Sequence, residues 1–179
     1  MAGKHEIPTV LNNFNVYNDA KSALLVGVAD IELPEIEFLT ESIKGAGISG
    51  EIEAVIQGHV APMEVTINFH AQSKNTIELC NSLYGQKITC RSSIGSYDAA
   101  SGAIASIGDR LHMTIGVKNI ALGKRETGSA LDSGVTVAVM ALKYVIVGKT
   151  VLDIDPANMI FKVNGTDILK GVKKDLGIY

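Results

Sequence analysis

Alternation between apolar and polar residues runs through most of this chain. In residues 63–70 and 111–118 every second residue is apolar, and the residues between them are polar or glycine. Residues 25–33 and 88–91 follow the same period, and residues 25–33 carry acidic side chains near their end. Because successive side chains of a strand point to opposite faces, this period of two predicts strands with one buried and one solvated face. The chain is therefore predicted to be mainly β.

The segment from residue 135 to residue 147 differs because both of its faces are apolar. Val135, Val137 and Val139 line one face, and Ala138 and Met140 begin the other. A strand of this kind has to be covered on two sides. We therefore expect a second sheet, a helix or another subunit to lie over it.

Two short helices are predicted. Ser73 is suited to cap the first, which is expected to end at Gly85. Its apolar stripe consists of Ile77, Leu79, Cys80, Leu83 and Tyr84. The second lies near the C-terminus, where apolar residues recur every fourth position before Gly177. These residues are Ile168, Val172 and Leu176.

Glycine-rich and polar clusters predict turns at residues 99–102, 122–124, 147–149 and 164–165. Residues 164–166, Asn-Gly-Thr, also match the sequon for glycosylation. Residues 1–12 lack the apolar core of a signal peptide. We therefore expect a protein that is not exported, and a turn is the favoured interpretation of the sequon.

Gly45, Gly47 and Gly50 spell the G-x-G-x-x-G fingerprint of dinucleotide-binding enzymes. In those enzymes an apolar strand precedes the motif and a helix follows it, so that backbone N–H groups meet the pyrophosphate. Here an acidic segment, residues 37–44, precedes the motif, and an alternating segment, residues 51–57, follows it. A flexible loop joining two strands is the favoured interpretation, with a dinucleotide site as the alternative.

Other motifs give no catalytic constellation. Gly148-Lys149-Thr150 resembles the end of a phosphate-binding loop, but the position of the required first glycine is Lys143. The four histidines show neither i, i+4 pairing nor a cluster with cysteine. A serine nucleophile elbow is also missing from the sequence. We therefore predict no catalytic residue, no cofactor and no metal.

The amino-acid composition limits the classes of protein to which the chain can belong. Of the 179 residues, 46% are hydrophobic and 20% are charged, which is typical of a globular domain. No apolar run approaches the length of a membrane span, so we expect a soluble protein. Cys80 and Cys90 are expected to be buried thiols rather than a disulfide. Residues 30–64 hold eight acidic residues and one lysine, whereas residues 143–174 hold six lysines, a distribution unlike that of a uniformly basic nucleic-acid clamp.

The order of segments resembles the major tail tube protein of contractile-tailed bacteriophages. The resemblance covers nearly the whole chain and is most specific at residues 44–51, Lys-Gly-Ala-Gly-Ile-Ser-Gly-Glu. Weaker matches in the same order support it. They are Asn13 to Tyr17, Leu33 to Ile36, Gly58-His59, Met63 to Asn68, Tyr97-Asp98, Leu122-Gly123, Ile154-Asp155 and Val163 to Gly165.

The resemblance implies an antiparallel β-sandwich or partial barrel with one flanking short helix and a short C-terminal helix. Residues 1–179 would form one tail-tube domain that assembles into hexameric rings and a ring-shaped β-barrel. Stacked rings would form a tube inside a contractile sheath that conducts DNA during infection. Implied partners are other copies of the chain and the sheath, baseplate and tail terminator proteins. Related tubes occur in contractile bacteriocins and type VI secretion.

Two sets of residues are candidates for tube functions. Residues 40–60 would form an extended inter-ring loop region, with residues 44–57 mobile until they contact the adjacent ring. Its candidate residues are Lys44, Gly45, Gly47, Gly50, Glu51 and Glu53. Asp30, Glu32 and Glu64 are candidates for the lumen, because an acidic lining repels DNA phosphates; ordinary solvated strand faces are the alternative. A small-molecule-binding β-barrel also remains an alternative for the whole chain.

Overall fold

A computed structural model describes residues 6–19, 23–25, 27–79, 84–129 and 131–178. The protein is mainly β, with 62% of residues in strands, a large antiparallel sheet and two short helices. The sheet is not closed into a barrel. The predicted fold class is therefore confirmed.

The main sheet has ten strands, and its hydrogen-bonded order is β12-β11-β10-β9-β8-β7-β1-β2, with β6 pairing to both β9 and β3. The first strands are β1 (Glu6–Asn18), β2 (Ala23–Leu24), β3 (Val28–Glu32) and β6 (Met63–Phe69). The others are β7 (Tyr84–Asp98), β8 (Ile104–Ala121), β9 (Ser133–Ile146), β10 (Lys149–Asp155), β11 (Ile160–Val163) and β12 (Thr166–Asp167). Strands β4 (Phe38–Ile43) and β5 (Ile52–Val60) form a separate two-stranded hairpin.

The core lies on one face of the main sheet. In β6, Met63, Val65, Ile67 and Phe69 are buried, as their period of two predicts. Neighbouring strands add further buried aliphatic residues in register. They include Val16, Ile88, Leu111, Met113, Ile115, Val135, Val137, Val139, Leu142 and Ile154. Burial of this cluster from water is the main stabilising contribution to the sheet.

A register shift explains why strand β9 has apolar residues at both odd and even positions. Val137 and Val139 face the core, and a register shift follows between the pairs Val139–Ile115 and Ala141–Thr114. The extra residue at the bulge, Met140, reverses the alternation. Leu142 therefore joins the buried side. The prediction that β9 has two separate apolar faces was therefore wrong. Odd-numbered residues face the core before the bulge, and even-numbered residues face it after the bulge.

A second bulge corrects the prediction for residues 25–33. The strand begins at Val28, and the register shifts between Val28 and Asp30. Val28 and Ile31 consequently both pack against the core, although simple alternation separates them. Leu25 is buried outside the strand, and Val26 lies outside the described residues.

The first helix is shorter than predicted. Helix α1 spans Lys74–Glu78, and the hydroxyl of Ser73 accepts a hydrogen bond from the N–H of Thr76 at 3.3 Å, so the predicted cap is confirmed. Ile77 is exposed, and Thr76 and Leu79 are buried instead. Tyr84 begins β7 rather than continuing the helix. The predicted positions Cys80 and Leu83 lie outside the described residues.

The C-terminal helix, α2, spans Lys170–Asp175 and is followed by Leu176 and Gly177. Ile168 and Val172 pack against the core, whereas Leu176 is exposed. The turn predicted at residues 164–165 is also confirmed, since Asn164 and Gly165 both have positive φ between β11 and β12.

The base of the β4–β5 hairpin is attached to the C-terminal part of the chain. The rings of Phe38 and Phe161 lie 5.6 Å apart between centroids. The amide of Gln57 donates to the carbonyl oxygen of Ile168 at 2.6 Å. Gly58 has φ +75°, and a Cβ at this position would lie 2.2 Å from Cδ2 of Leu169. Only glycine allows both this backbone conformation and this close approach.

Replacing Gly58 with alanine is therefore expected to destabilise the protein by about 1–3 kcal/mol, through backbone strain and contact with Leu169. Gly108→Ala is the matched control, because Gly108 lies in β8 without a positive φ, and a Cβ added there would have no atom within 4 Å. Urea denaturation of both variants measures the difference. Equal midpoints for the two variants would show that the hairpin base tolerates a side chain.

Candidate assembly surfaces

The β4–β5 hairpin carries all the residues predicted for the inter-ring loop. Its strands pair from Ile43–Ile52 to Thr40–Val55. Residues 44–51 connect them. At the start of this connection the Nζ of Lys44 lies 2.9 Å from a carboxylate oxygen of Glu51, and both side chains are more than half exposed. The structure therefore brings the two ends of the predicted loop together.

One face of the hairpin is polar. The hydroxyl of Thr40 donates to Glu53 at 2.6 Å, and the hydroxyl of Ser42 donates to Glu51. Hydrogen bonds from Ser42 and then Lys44 lower the pKa of Glu51 below its usual value. The lowered pKa favours the ionised form of Glu51, and Val55 is the exposed aliphatic member of this face.

The opposite face of the hairpin is mainly apolar and exposed, with Glu41 as an acidic residue among its side chains. The pairs Ile43–Ile52 and Glu41–Ala54 place alternate residues on this side. Its four large members, which we call the apolar hairpin face, are Leu39 (42% exposed), Ile43 (45%), Ile52 (54%) and Ile56 (38%). Adjacent exposed aliphatic side chains of this kind mark an interaction surface.

The glycine motif sits in this connection between two antiparallel strands. Gly47 and Gly50 have φ values of +91° and +139°, which favour glycine, whereas Gly45 has no such conformation. The segment after the motif is strand β5. Because a dinucleotide site needs a helix N-terminus at that point, the geometry does not support the dinucleotide interpretation.

The three residues predicted for the lumen share one solvated face of the sheet, which we call the acidic face. Asp30 pairs with Asn68 and Glu32 with Thr66 across β3 and β6, and Glu64 follows on the same side of β6. All three acidic side chains are exposed. Asp30 accepts a hydrogen bond from the amide of Asn68 at 2.6 Å.

Lys118 modifies the charge of the acidic face. Its Nζ forms an ion pair with Glu64 from the adjoining part of the sheet. The sequence did not indicate this contact, because the register shift between Val117 and Asn119 sets the direction of Lys118. Asp30 and Glu32 thus carry most of the negative charge of this face. Beside them, a cleft of about 370 Å³ is lined by Glu32, Glu35, Glu37 and Glu64 among others.

The lysine-rich C-terminal part is interleaved with acidic residues. Cross-strand pairs run from His112 through Lys143, Asp153 and Lys162 to Asp167. The Nζ of Lys143 lies 3.3 Å from Asp153. Lys173 lies 2.8 Å from Asp167, and its hydrogen bond lowers the pKa of that carboxyl. This row therefore alternates in charge and does not form a basic patch.

A polar chain at Thr89 brings a hydroxyl next to an imidazole. The hydroxyl of Thr89 donates to Asp19 at 2.7 Å and lies 2.8 Å from Nδ1 of His112. A hydroxyl has one proton, so the second bond requires Nδ1 of His112 to donate. Within the described ranges, no group of three or more His, Cys, Asp or Glu is placed to hold a metal ion.

Asp109 is a buried carboxylate that sequence reasoning missed. It is 9% exposed in β8, and its Oδ2 accepts a hydrogen bond from the hydroxyl of Tyr144 at 2.6 Å. Its Oδ1 is buried without a hydrogen-bond partner. Burial, followed by the hydrogen bond to Asp109, raises the pKa of Tyr144 to about 12.

Burial also raises the pKa of the free thiol of Cys90, which is in the core as predicted. Cys80 lies outside the described residues.

The raised pKa of Tyr144 predicts a loss of stability at high pH. The folded protein favours the neutral phenol, so this stabilisation is complete below pH 10 and is lost as the pH rises towards 12. Tyr144→Phe should be less stable at neutral pH, because Asp109 loses its donor, and its stability should fall less steeply from pH 10 to 12. Chemical denaturation across this range measures both slopes. Parallel slopes would contradict the assignment.

A comparison with known protein families gives the class of the chain. The family model described as phage tail tube protein FII matches residues 8–177. No curated protein matched the chain in sequence. None of the helices in the described segments is long and apolar enough to cross a membrane. The chain belongs to the phage tail tube protein FII family and is a structural subunit of the phage tail tube.

Proposed function

We propose that this protein forms hexameric rings that stack into the inner tube of a contractile phage tail or a phage-tail-like particle. The lumen of the phage tube conducts DNA into the host cell. The observation that carries the proposal is the open main sheet, with unpaired strand edges, in a chain of a tail tube family. Such a subunit is completed by copies of itself.

The free edges give the physical reason for ring formation. Residues 6–15 of β1 pair with β7 on one side and have no partner strand on the other among the described strands. Among the strands that the structure describes, β3 likewise pairs with β6 alone. Unpaired N–H and C=O groups at a strand edge favour pairing with another chain. Pairing around a closed ring removes both edges and generates a β-barrel between subunits.

The hairpin supports contact between stacked rings. An isolated two-stranded hairpin is marginally stable in water, and the apolar hairpin face is exposed in the single chain. Residues 40–60 reach the adjacent ring in this proposal. Apart from Gln57, whose side chain is bonded to Ile168, residues 44–57 are mobile in the free protein in this proposal and become ordered when the hairpin docks.

The acidic face supports a conduit for DNA. Phosphate groups bind Lys and Arg with release of counterions, so a basic lining would retain the cargo. Asp30, Glu32 and Glu64 on one solvated face would instead repel the DNA backbone. In this arrangement the acidic face lines the lumen.

The remaining partners follow from the proposed particle. The sheath surrounds the tube, the baseplate and tail terminator contact its two ends, and assembly takes place in the bacterial cytoplasm. A contractile bacteriocin or a type VI-like particle would use the same stacked rings. A gene neighbourhood with sheath, baseplate and capsid genes would identify a phage, and one without capsid genes would favour a bacteriocin.

The small-molecule-binding β-barrel is the second candidate. Two open clefts of about 370 and 420 Å³ adjoin the sheet. However, the sheet is not closed, and its inner face is filled by the hydrophobic core. A barrel that binds a ligand in its interior needs a closed sheet with a cavity. The described structure therefore favours the tube subunit.

Negative-stain microscopy of the concentrated protein tests the proposed function. The expected result is hollow filaments of even width, with rings visible as end views, because edge pairing and stacking both depend on concentration. Sedimentation over a dilution series provides the monomer control. Compact monomers at every concentration and ionic strength would overturn the proposal.

Reversing the acidic face tests the conduit. A variant with Asp30→Lys, Glu32→Lys and Glu64→Lys should assemble tubes but slow or block DNA passage, because the lining then attracts phosphates. The matched control carries Asp30→Asn, Glu32→Gln and Glu64→Gln, which removes charge at the same positions and should permit passage. DNA ejection from particles is the measurement. Unchanged ejection by the lysine variant rejects the lumen assignment.

A further inference from the structure

Two exposed arginines lie directly opposite each other on neighbouring strands. Arg91 in β7 pairs with Arg110 in β8, next to the buried pair Cys90–Leu111, so both arginines point away from the core. Like charges in directly opposite positions destabilise a sheet. Among the residues that the structure describes, neither arginine forms an ion pair. These two side chains, which we call the arginine pair, therefore lack an anionic partner in the single chain.

The arginine pair lies close to the free edge of β1. Arg91 pairs with Asn15 of β1, and its guanidinium carbon lies 4.9 Å from the ring centroid of Tyr17 in the same strand. This cation–π contact directs the side chain of Arg91 towards β1. An open cleft of about 220 Å³ is lined by Asn13, Asn15 and Arg91 among others. Because β2 pairs with β1 only at Tyr17 and Asn18, this cleft lies where the outer side of β1 has no partner among the described strands.

The regular part of the free edge is short. Register shifts between Pro8 and Asn13 interrupt it, and Pro8 has no N–H to donate. From Asn13 to Asn15 the pairing with β7 is regular. Here the N–H of Phe14 donates to the side-chain oxygen of Asn13 at 2.8 Å, an exposed local bond that a carbonyl group of an added strand can replace. A strand added at this point would lie beside Asn15 and two strand spacings from Arg91.

Strand β3 forms an open edge of opposite charge. Among the described strands it pairs with β6 alone, and Ile31 packs against the core, so Asp30 and Glu32 point away from the core as the arginine pair does. Asp30 is bonded to the amide of Asn68. The carboxylate of Glu32 is exposed and has no hydrogen bond or ion pair to any described residue. The β3 edge therefore carries an anion without a partner.

The two edges cannot meet within one chain. The order β3-β6-β9-β8-β7-β1 separates them by five strand spacings, about 24 Å. In a closed ring each copy uses two different surfaces, so one open edge of a copy lies against the other open edge of the next. The remaining end of the sheet, β12, has two residues, and the amide of Gln57 donates to Ile168 just beyond it. Strand β3 is therefore the edge with both the length and the charge to join β1.

We propose that β3 of one copy pairs with residues 13–15 of β1 in the next copy, and that Glu32 forms an ion pair with Arg91 across the joint. The contact presupposes the ring of the proposed function and determines the direction in which that ring closes. Glu32 and Arg91 would lie about 10 Å apart at the backbone, a gap that two extended side chains span. Joining two β1 edges would instead bring two arginine pairs together, and joining two β3 edges would bring carboxylates together. The charges thus favour head-to-tail closure over both symmetric alternatives.

Charge exchange tests the ion pair. Arg91→Glu and Glu32→Arg should each raise the critical concentration for tube formation by about tenfold, and the double exchange should restore it to within about threefold. Each single variant should still form tubes at higher concentration, because the hydrogen bonds between the edges remain. Arg91→Glu combined with Asp175→Arg is the matched control, since it restores the net charge at an exposed residue of α2 and should not restore assembly. Unchanged assembly of the single variants, or equal rescue by the control, would refute the contact.

Disulfide trapping tests the pairing of the edges. Asn15→Cys combined with Glu32→Cys should give covalent multimers when assembled tubes are oxidised, because facing residues of paired strands come within reach of a disulfide. Ile7→Cys combined with Glu32→Cys is the matched control, since Ile7 is also exposed but lies far from Asn15 along β1. Oxidation of the unmodified protein in parallel accounts for the native thiols. Intact tubes without cross-links from the first pair, or with equal cross-links from both pairs, would overturn the pairing.

The failure of this contact is distinguishable from the failure of the proposed function. If the unmodified protein forms no tubes, the proposed function fails. If it forms tubes that respond to neither the charge exchange nor the disulfide pair, only the β3–β1 contact fails. Arg91→Glu tubes that assemble normally but no longer bind the sheath would assign the arginine pair to the sheath and overturn the contact. Thermal unfolding of the monomers checks that every variant is folded.

Discussion

The pairing of β8 with β7 and β9 is the interaction on which the rest of the structure depends. Strand β8 has 18 residues, and its neighbours follow it in register through most of that length. The buried core residues of β7 and β8 include Ile88, Cys90, Leu111, Met113 and Ile115, so the strand pairing extends beyond the hydrophobic core cluster. The sheet also has strand edges, such as residues 6–15 of β1, that lack a second partner among the described strands.

The sequence predicted the parts of the fold in which local alternation is uninterrupted. Strand β6 follows the period of two throughout, so its strand and its buried residues were both correct. Strand β9 was misinterpreted because the bulge at Met140 reverses its phase. A bulge depends on the register of two strands that are far apart in sequence, which a single segment does not encode visibly. The predicted length of the first helix was wrong for a related reason. The helix ends at Glu78, because Tyr84 belongs to the long strand β7.

The sequence also predicted only part of the candidate surfaces. Alternation was sufficient to bring Asp30, Glu32 and Glu64 to one face, because β3 and β6 are adjacent. The ion pair of Lys118 with Glu64 depends on pairing across the sheet and was missed. Asp109 had no signal in the sequence at all. Its importance arises from burial and from an oxygen without a donor, and both properties belong to the folded chain.

The position of the hairpin links the C-terminal segment to assembly. A two-stranded hairpin alone has little to hold its direction, and here Gly58 and Gln57 attach its base to Leu169 and Ile168. Leu169 is itself buried at the start of α2, so the core determines where the hairpin leaves the body of the protein. Loss of conformational freedom on docking is smaller for a segment whose base is already fixed. The anchored base therefore fixes where the hairpin leaves the sheet, and the apolar hairpin face remains exposed in the single chain.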